Sequence, residues 1–175
     1  MKKILIIIFC VLLLSSCAKE VLIGDKLTDK ATDKQQEQFK ENILELFENQ
    51  YNQPFKISDF KYEYGTHWKD KSCVIASMCP KEIYGTYSFY IEAIKNPIIK
   101  IKLVINDKKG SLEFIKNHFI DTAYCSSLAD YYLLLANKNA VINQKGLDIG
   151  EKYCDSIGQD FYKKGKKVYL KSLNK

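Results

Sequence analysis

Arginine is absent from this chain. All 27 basic side chains are lysines, set against 21 carboxylates, for a formal charge of +6 over 175 residues. Arginine's planar fork is the usual tool for recognising phosphate and carboxylate groups, so its absence argues against a nucleic-acid partner. Lysine, isoleucine, asparagine and tyrosine are abundant, as in AT-rich genomes, and codon usage accounts for part of the basicity. Histidine is scarce: His67 and His118 are the only two. There is no G-x-S-x-G, no H-E-x-x-H and no glycine-rich phosphate loop, so the motifs of a nucleophile elbow, a zinc-protease helix and a P-loop are missing. The cysteines lack paired C-x2-C spacing, which disfavours a zinc site. No internal repeat or low-complexity segment is visible. No apolar run reaches the ~20 residues that a membrane-spanning helix needs.

What the N-terminus does contain is informative. Lys2 and Lys3 precede an uncharged apolar run from Ile4 to Leu14, the pattern of a secretion signal. The run ends in Leu14-Ser15-Ser16-Cys17 and the chain turns polar at once. This segment resembles the lipobox of bacterial lipoproteins. The resemblance covers residues 1–17 and implies removal of residues 1–16, a diacylglyceryl group on the Cys17 sulfur, and often an acyl chain such as palmitate on the new amino group. Each buried CH₂ contributes about 0.8 kcal/mol and one chain alone holds only marginally, so two or three chains make a firm membrane anchor. Ala18 stands where an aspartate tends to retain lipoproteins at the inner membrane. In a two-membrane host the resemblance therefore points to the outer membrane, with the domain facing the periplasm.

Loss of Lys2 and Lys3 with the signal lowers the formal charge from +6 to +4. Cys10 leaves as well, and Cys73, Cys79, Cys125 and Cys154 remain beside the lipidated Cys17. Four cysteines in an exported domain suggest two disulfides. Of the three possible connectivities, Cys73–Cys79 and Cys125–Cys154 are expected. The first pair lies within one loop, and the second ties two C-terminal helices.

Residues 17–31 read as the lipidated cysteine and a flexible tether, and 32–175 as a single α+β domain. Thr32 and Gln35 have capping-box spacing. Phe39, Ile43, Phe47 and Tyr51 form one helical stripe, closed by Pro54. Phe55 and Ile57 alternate with polar residues. Phe60, Tyr62 and Tyr64 alternate on the opposite parity, as a bulge at Ser58–Asp59 would produce. Gly65 is expected to end this strand, and 66–82 to form a loop. Tyr87 to Ala93 and Ile99 to Ile105 read as two further strands of an antiparallel meander. The last third reads as helices packed on one face, with a stripe from Leu112, a break near Asp121, and a stripe through Cys154, Ile157 and Phe161. Residues 131–136 suit helix or strand. The lysine-rich "KKVYLKSL" suits a final edge strand.

No catalytic constellation emerges. In lipid-anchored cell-wall cysteine peptidases the nucleophile opens a helix from an Asp-Cys-Ser-Gly turn, whereas Cys125 follows Tyr124 and precedes Ser126 and Ser127. Asp59 and Glu63 are a weak carboxylate pair. Tyr62, Tyr64, Tyr84 and Tyr90 suggest a binding face on the sheet, since tyrosine offers large contact area at small entropic cost. The expectation is a non-catalytic envelope lipoprotein, without cofactor or metal, that binds an envelope protein or cell-wall glycan, as an immunity or inhibitor protein would. An accessory subunit of a secretion or conjugation machine and a cell-wall hydrolase are the alternatives.

Overall fold

A computed structural model describes residues 25–69 and 79–174. Four strands and five helices follow in order: β1 (Asp25–Lys26), α1 (Asp33–Tyr51), β2 (Phe55–Trp68), β3 (Lys81–Ala93), β4 (Lys100–Asn106), α2 (Ser111–His118), α3 (Ile120–Ala136), α4 (Gln144–Ser156) and α5 (Phe161–Leu173). The fold is α+β, with β2, β3 and β4 forming the expected antiparallel meander. Two compact units are present among these residues. The larger holds 31–63 and 86–174; the smaller holds 25–30, 64–69 and 79–85.

In the larger unit the capping box is complete. Thr32 Oγ1 accepts from the Gln35 amide, and Gln35 Oε1 accepts from the Thr32 amide at 2.8 Å. Helix α1 ends at Asn52 in the left-handed region, φ 49°. Its Ile43 and Phe47 are fully buried in one apolar core with Phe89, Ile91, Ile99 and residues of α3 such as Leu128. Asp59 takes φ 53°. The Ile94 amide bonds to Pro54 O and the Lys69 amide to Pro80 O, so β2 spends one residue more than β3 between these two bonds. The bulge falls where the parity switch put it, and it returns Phe60 and Tyr62 to the side of Phe55 and Ile57.

Helix α3 is the hub of the helical layer, with contacts to α1, α2, α4, α5 and β4. Residues 131–136 belong to it. The break before it falls at Phe119. Tyr51 sets the first turn: its hydroxyl donates to Ile120 O and accepts from the Tyr124 amide. Cys125 and Cys154 form a disulfide with Cα atoms 5.8 Å apart, tying α3 to α4.

Four expectations are corrected. The segment read as an edge strand is the second half of α5. Tyr162, Gly165 and Tyr169 recur at helical spacing on its inner side, and Gly165 lets it approach α3 closely. The stripe through Ile157 and Phe161 is interrupted between α4 and α5, where Gly158 takes φ 70° and both apolar residues are exposed. Gly65 does not end β2. Nothing lies within 4 Å of where its Cβ would be, and the strand runs on to Trp68. The tether does not extend to residue 31. Asp25 and Lys26 pair in parallel with Glu82 and Ile83, and the Leu27 amide bonds to Ile83 O. Strands β2 and β3, 14 and 13 residues long against 7 for β4, supply residues to both compact units.

Candidate interaction surface

The chemical candidates occupy structural positions. Cys125 and Cys154 are fully buried and bonded to each other. Cys79 is disulfide-bonded; Cys73, like Cys17, lies outside the described residues. His67 sits on β2, stacked on Tyr84 at 3.9 Å with its Nε2 3.1 Å from Tyr84 O. His118 stacks on Phe114 at the end of α2, with Nδ1 3.3 Å from Phe114 O. Asp59 and Glu63 are both exposed. Among the described residues no group of three metal-ligating side chains converges, and no helix is long and apolar enough to cross a membrane.

The four tyrosines do not form one face. Tyr62 packs on Tyr87 at 4.9 Å, and its hydroxyl accepts from the Ala31 amide and donates to Asp107 Oδ2, both at 2.8 Å. Burial, with the Asp107 carboxylate beside it, pushes its hydroxyl pKa up to about 12. Tyr90 lies on the opposite side of the sheet, since Tyr87, Phe89 and Ile91 point into the core. The remaining two belong to the smaller unit, where Tyr64 donates to Thr28 O at 2.8 Å and Tyr84 stacks on His67. Sequence alternation assigns Tyr90 and Tyr62 to faces only once the bulge has set the register of β2.

The outer face of the sheet is charged and organised. Glu92 accepts from Lys100 and Ser58, each at 2.7 Å, and from Lys56 at 3.1 Å. These contacts, the Lys100 hydrogen bond first, hold its carboxyl at about 2. The Lys100 ammonium also lies 4.3 Å above the Tyr90 ring.

The far edge of β4 carries backbone groups that do not pair with β3. Residues 86–92 of β3 pair with 100–106 of β4, and the Ala93 amide bonds to Ile99 O. Antiparallel pairing alternates, so Ile101, Leu103 and Ile105 spend their amides and carbonyls on β3, while those of Lys100, Lys102 and Val104 point away from it. Lys100 is capped: its amide donates to Ser127 Oγ at 2.9 Å, and Ser127 Oγ donates to its carbonyl at 3.1 Å. Beyond that cap, Lys102 and Val104 face a groove of about 580 Å³ between β4 and α2. Phe114, Ile115 and Phe119 form its apolar wall, and Lys102, Lys108 and Lys109 its basic rim. Val104 and Phe114 are 64% and 63% exposed. Sequence reasoning missed this site because "NDKKG" reads as a strand end. The return of α2 alongside β4 is a tertiary fact.

Comparison with protein-family models, curated proteins and solved structures returns no match for this chain.

Proposed function

We propose that this chain is a membrane-anchored envelope lipoprotein whose domain binds another macromolecule rather than transforming a substrate. The observation that carries the binding reading is the edge of β4 that faces away from β3, where backbone groups, an apolar wall and lysines come together. Lysines such as Lys102 discourage uncontrolled edge-to-edge pairing, and they leave the edge open to a chain of opposite charge. The address rests on Leu14-Ser15-Ser16-Cys17, with lipid on Cys17 and Ala18 favouring the outer membrane of a two-membrane host. An immunity or inhibitor role fits a small tethered binder. The cell-wall hydrolase alternative is less well supported, because Cys125 and Cys154 are bonded together and both histidines lie against backbone carbonyls.

Two measurements test the two halves of the reading. A fatty-acid probe should label the wild type and leave Cys17→Ala unlabelled and released from membranes; labelling that persists in Cys17→Ala removes the anchor. Cross-linking in intact envelopes should recover one dominant macromolecular partner. Turnover of a cell-wall substrate by the purified mature chain removes the binding reading in favour of an enzyme.

A further inference from the structure

We infer that the free edge of β4 takes up an extended, acidic segment of an envelope protein as an added strand. This rests on the binding reading above and names the class of partner. Three features converge on the same few residues. The backbone groups of Lys102 and Val104 point away from β3, and an extended chain alongside satisfies them by the ladder that joins β4 to β3. Ser127 already plays that part for Lys100, its one hydroxyl both accepting and donating as a neighbouring strand would. It closes one end of the edge and leaves the next residues open.

The groove wall supplies the second feature. Side chains of an added strand alternate. Those on the core side meet Phe114, Ile115 and Phe119, so apolar residues are wanted there. Charge supplies the third. Lysines rim the groove, and no carboxylate among the described residues lines it. The adjacent Asp107 carboxylate accepts from the Tyr62 hydroxyl, which lies across the sheet on β2. Glu113 lines the hollow beside α1, a different recess. An incoming segment that alternates apolar with acidic residues meets the edge amides, the apolar wall and the charge of Lys102 and Lys109 together. A basic segment is repelled.

The test uses the full mature chain and two short synthetic peptides, one alternating valine with glutamate and one alternating valine with lysine. The acidic peptide should bind, weaken with added salt, and slow hydrogen exchange at the Lys102 and Val104 amides. The basic peptide should bind at least about tenfold more weakly, a difference of about 1.4 kcal/mol. Val104→Pro removes an edge donor without touching the bonds to β3 and should cost at least about tenfold in affinity. N-methylating the acidic peptide tests the same ladder from the ligand side with the protein unchanged. Equal binding of the two peptides, or indifference to both Val104→Pro and N-methylation, overturns the inference. So does failure of the wild type to bind. A dimer of the chain that Val104→Pro dissolves overturns it too, by giving the edge to a second copy. If an envelope partner is cross-linked to Val104→Pro as well as to the wild type, the edge falls and the binding function stands. If the peptide binds but the chain turns over a cell-wall substrate, the edge stands and the non-catalytic reading falls.

Discussion

Glu92 shows how much one surface position can be constrained. Its carboxylate gathers Lys100, Ser58 and Lys56 across three strands, and its pKa falls from the ordinary 4.5 to about 2. A carboxylate stabilised in its ionised form contributes fully above its unfolded pKa and loses that contribution as pH falls through the folded one. Stability should therefore decline between pH 4.5 and pH 2. Lys56 and Lys100 are 61% and 43% exposed, so solvent screens the pair. A contribution of about 1–2 kcal/mol is expected. Denaturant titrations at several pH values should show that limb flattened in Glu92→Gln. An unchanged acid limb would mean that the three partners make no net contribution. Gly165 is constrained differently. A Cβ there would lie 2.5 Å from the Ala129 carbonyl oxygen, a backbone atom that cannot swing aside. Gly165→Ala should force α5 off α3 and cost about 1–3 kcal/mol, read from the urea midpoint.

At the scale of elements, legibility depended on whether the deciding contact was local. The capping box of α1 and the bulge in β2 could be read because both are written in adjacent residues: Thr32 with Gln35, and the parity change between Ile57 and Phe60. The helix α5 could not. Lysines at 163, 164, 166, 167 and 171 dominate its pattern, and only the α3 surface reveals that Tyr162, Gly165 and Tyr169 are its inner side. The groove was illegible for the same reason, since it needs α2 folded back along β4. The Cys125–Cys154 pairing was legible because each cysteine sits on an apolar helical stripe. Its 29-residue separation implies about 3.5 kcal/mol of chain-entropy stabilisation. Cys154→Ala should lower Tm by roughly 10 °C in calorimetry, and a drop of only a degree or two would show that the α3–α4 packing holds without the bond.

At the scale of the molecule, burial is distributed unevenly among the described residues, and this predicts where opening begins. The connected apolar core, from Ile43 through Phe89 and Leu128 to Tyr162, belongs entirely to the larger unit. In the smaller unit, Cys79 is the one hydrophobic side chain buried among the described residues. Among the described residues that unit also carries pairings at its surface: the Asp25–Glu82 and Lys26–Ile83 register, the His67–Tyr84 stack, the Lys81 ammonium over Trp68 and the Lys69–Glu82 ion pair. Exposed pairs of this kind contribute about 0–1 kcal/mol each. Regions with few buried apolar contacts open below the global unfolding free energy. Amides such as Leu27, bonded to Ile83 O at 3.0 Å, should therefore exchange with solvent at least about a hundredfold faster than those of Ile101 and Leu103. The same division separates the disulfides. Cys79 stands in the smaller unit, and Cys125–Cys154 in the core of the larger. Cys79→Ala should speed exchange at Leu27 and Lys69 while shifting Tm by only a few degrees, whereas Cys154→Ala should lower Tm and speed exchange throughout the larger unit. Equal protection of Leu27 and Ile101 in the wild type would show instead that the two units open together, with stability reaching the outer ends of β2 and β3 through the strands themselves.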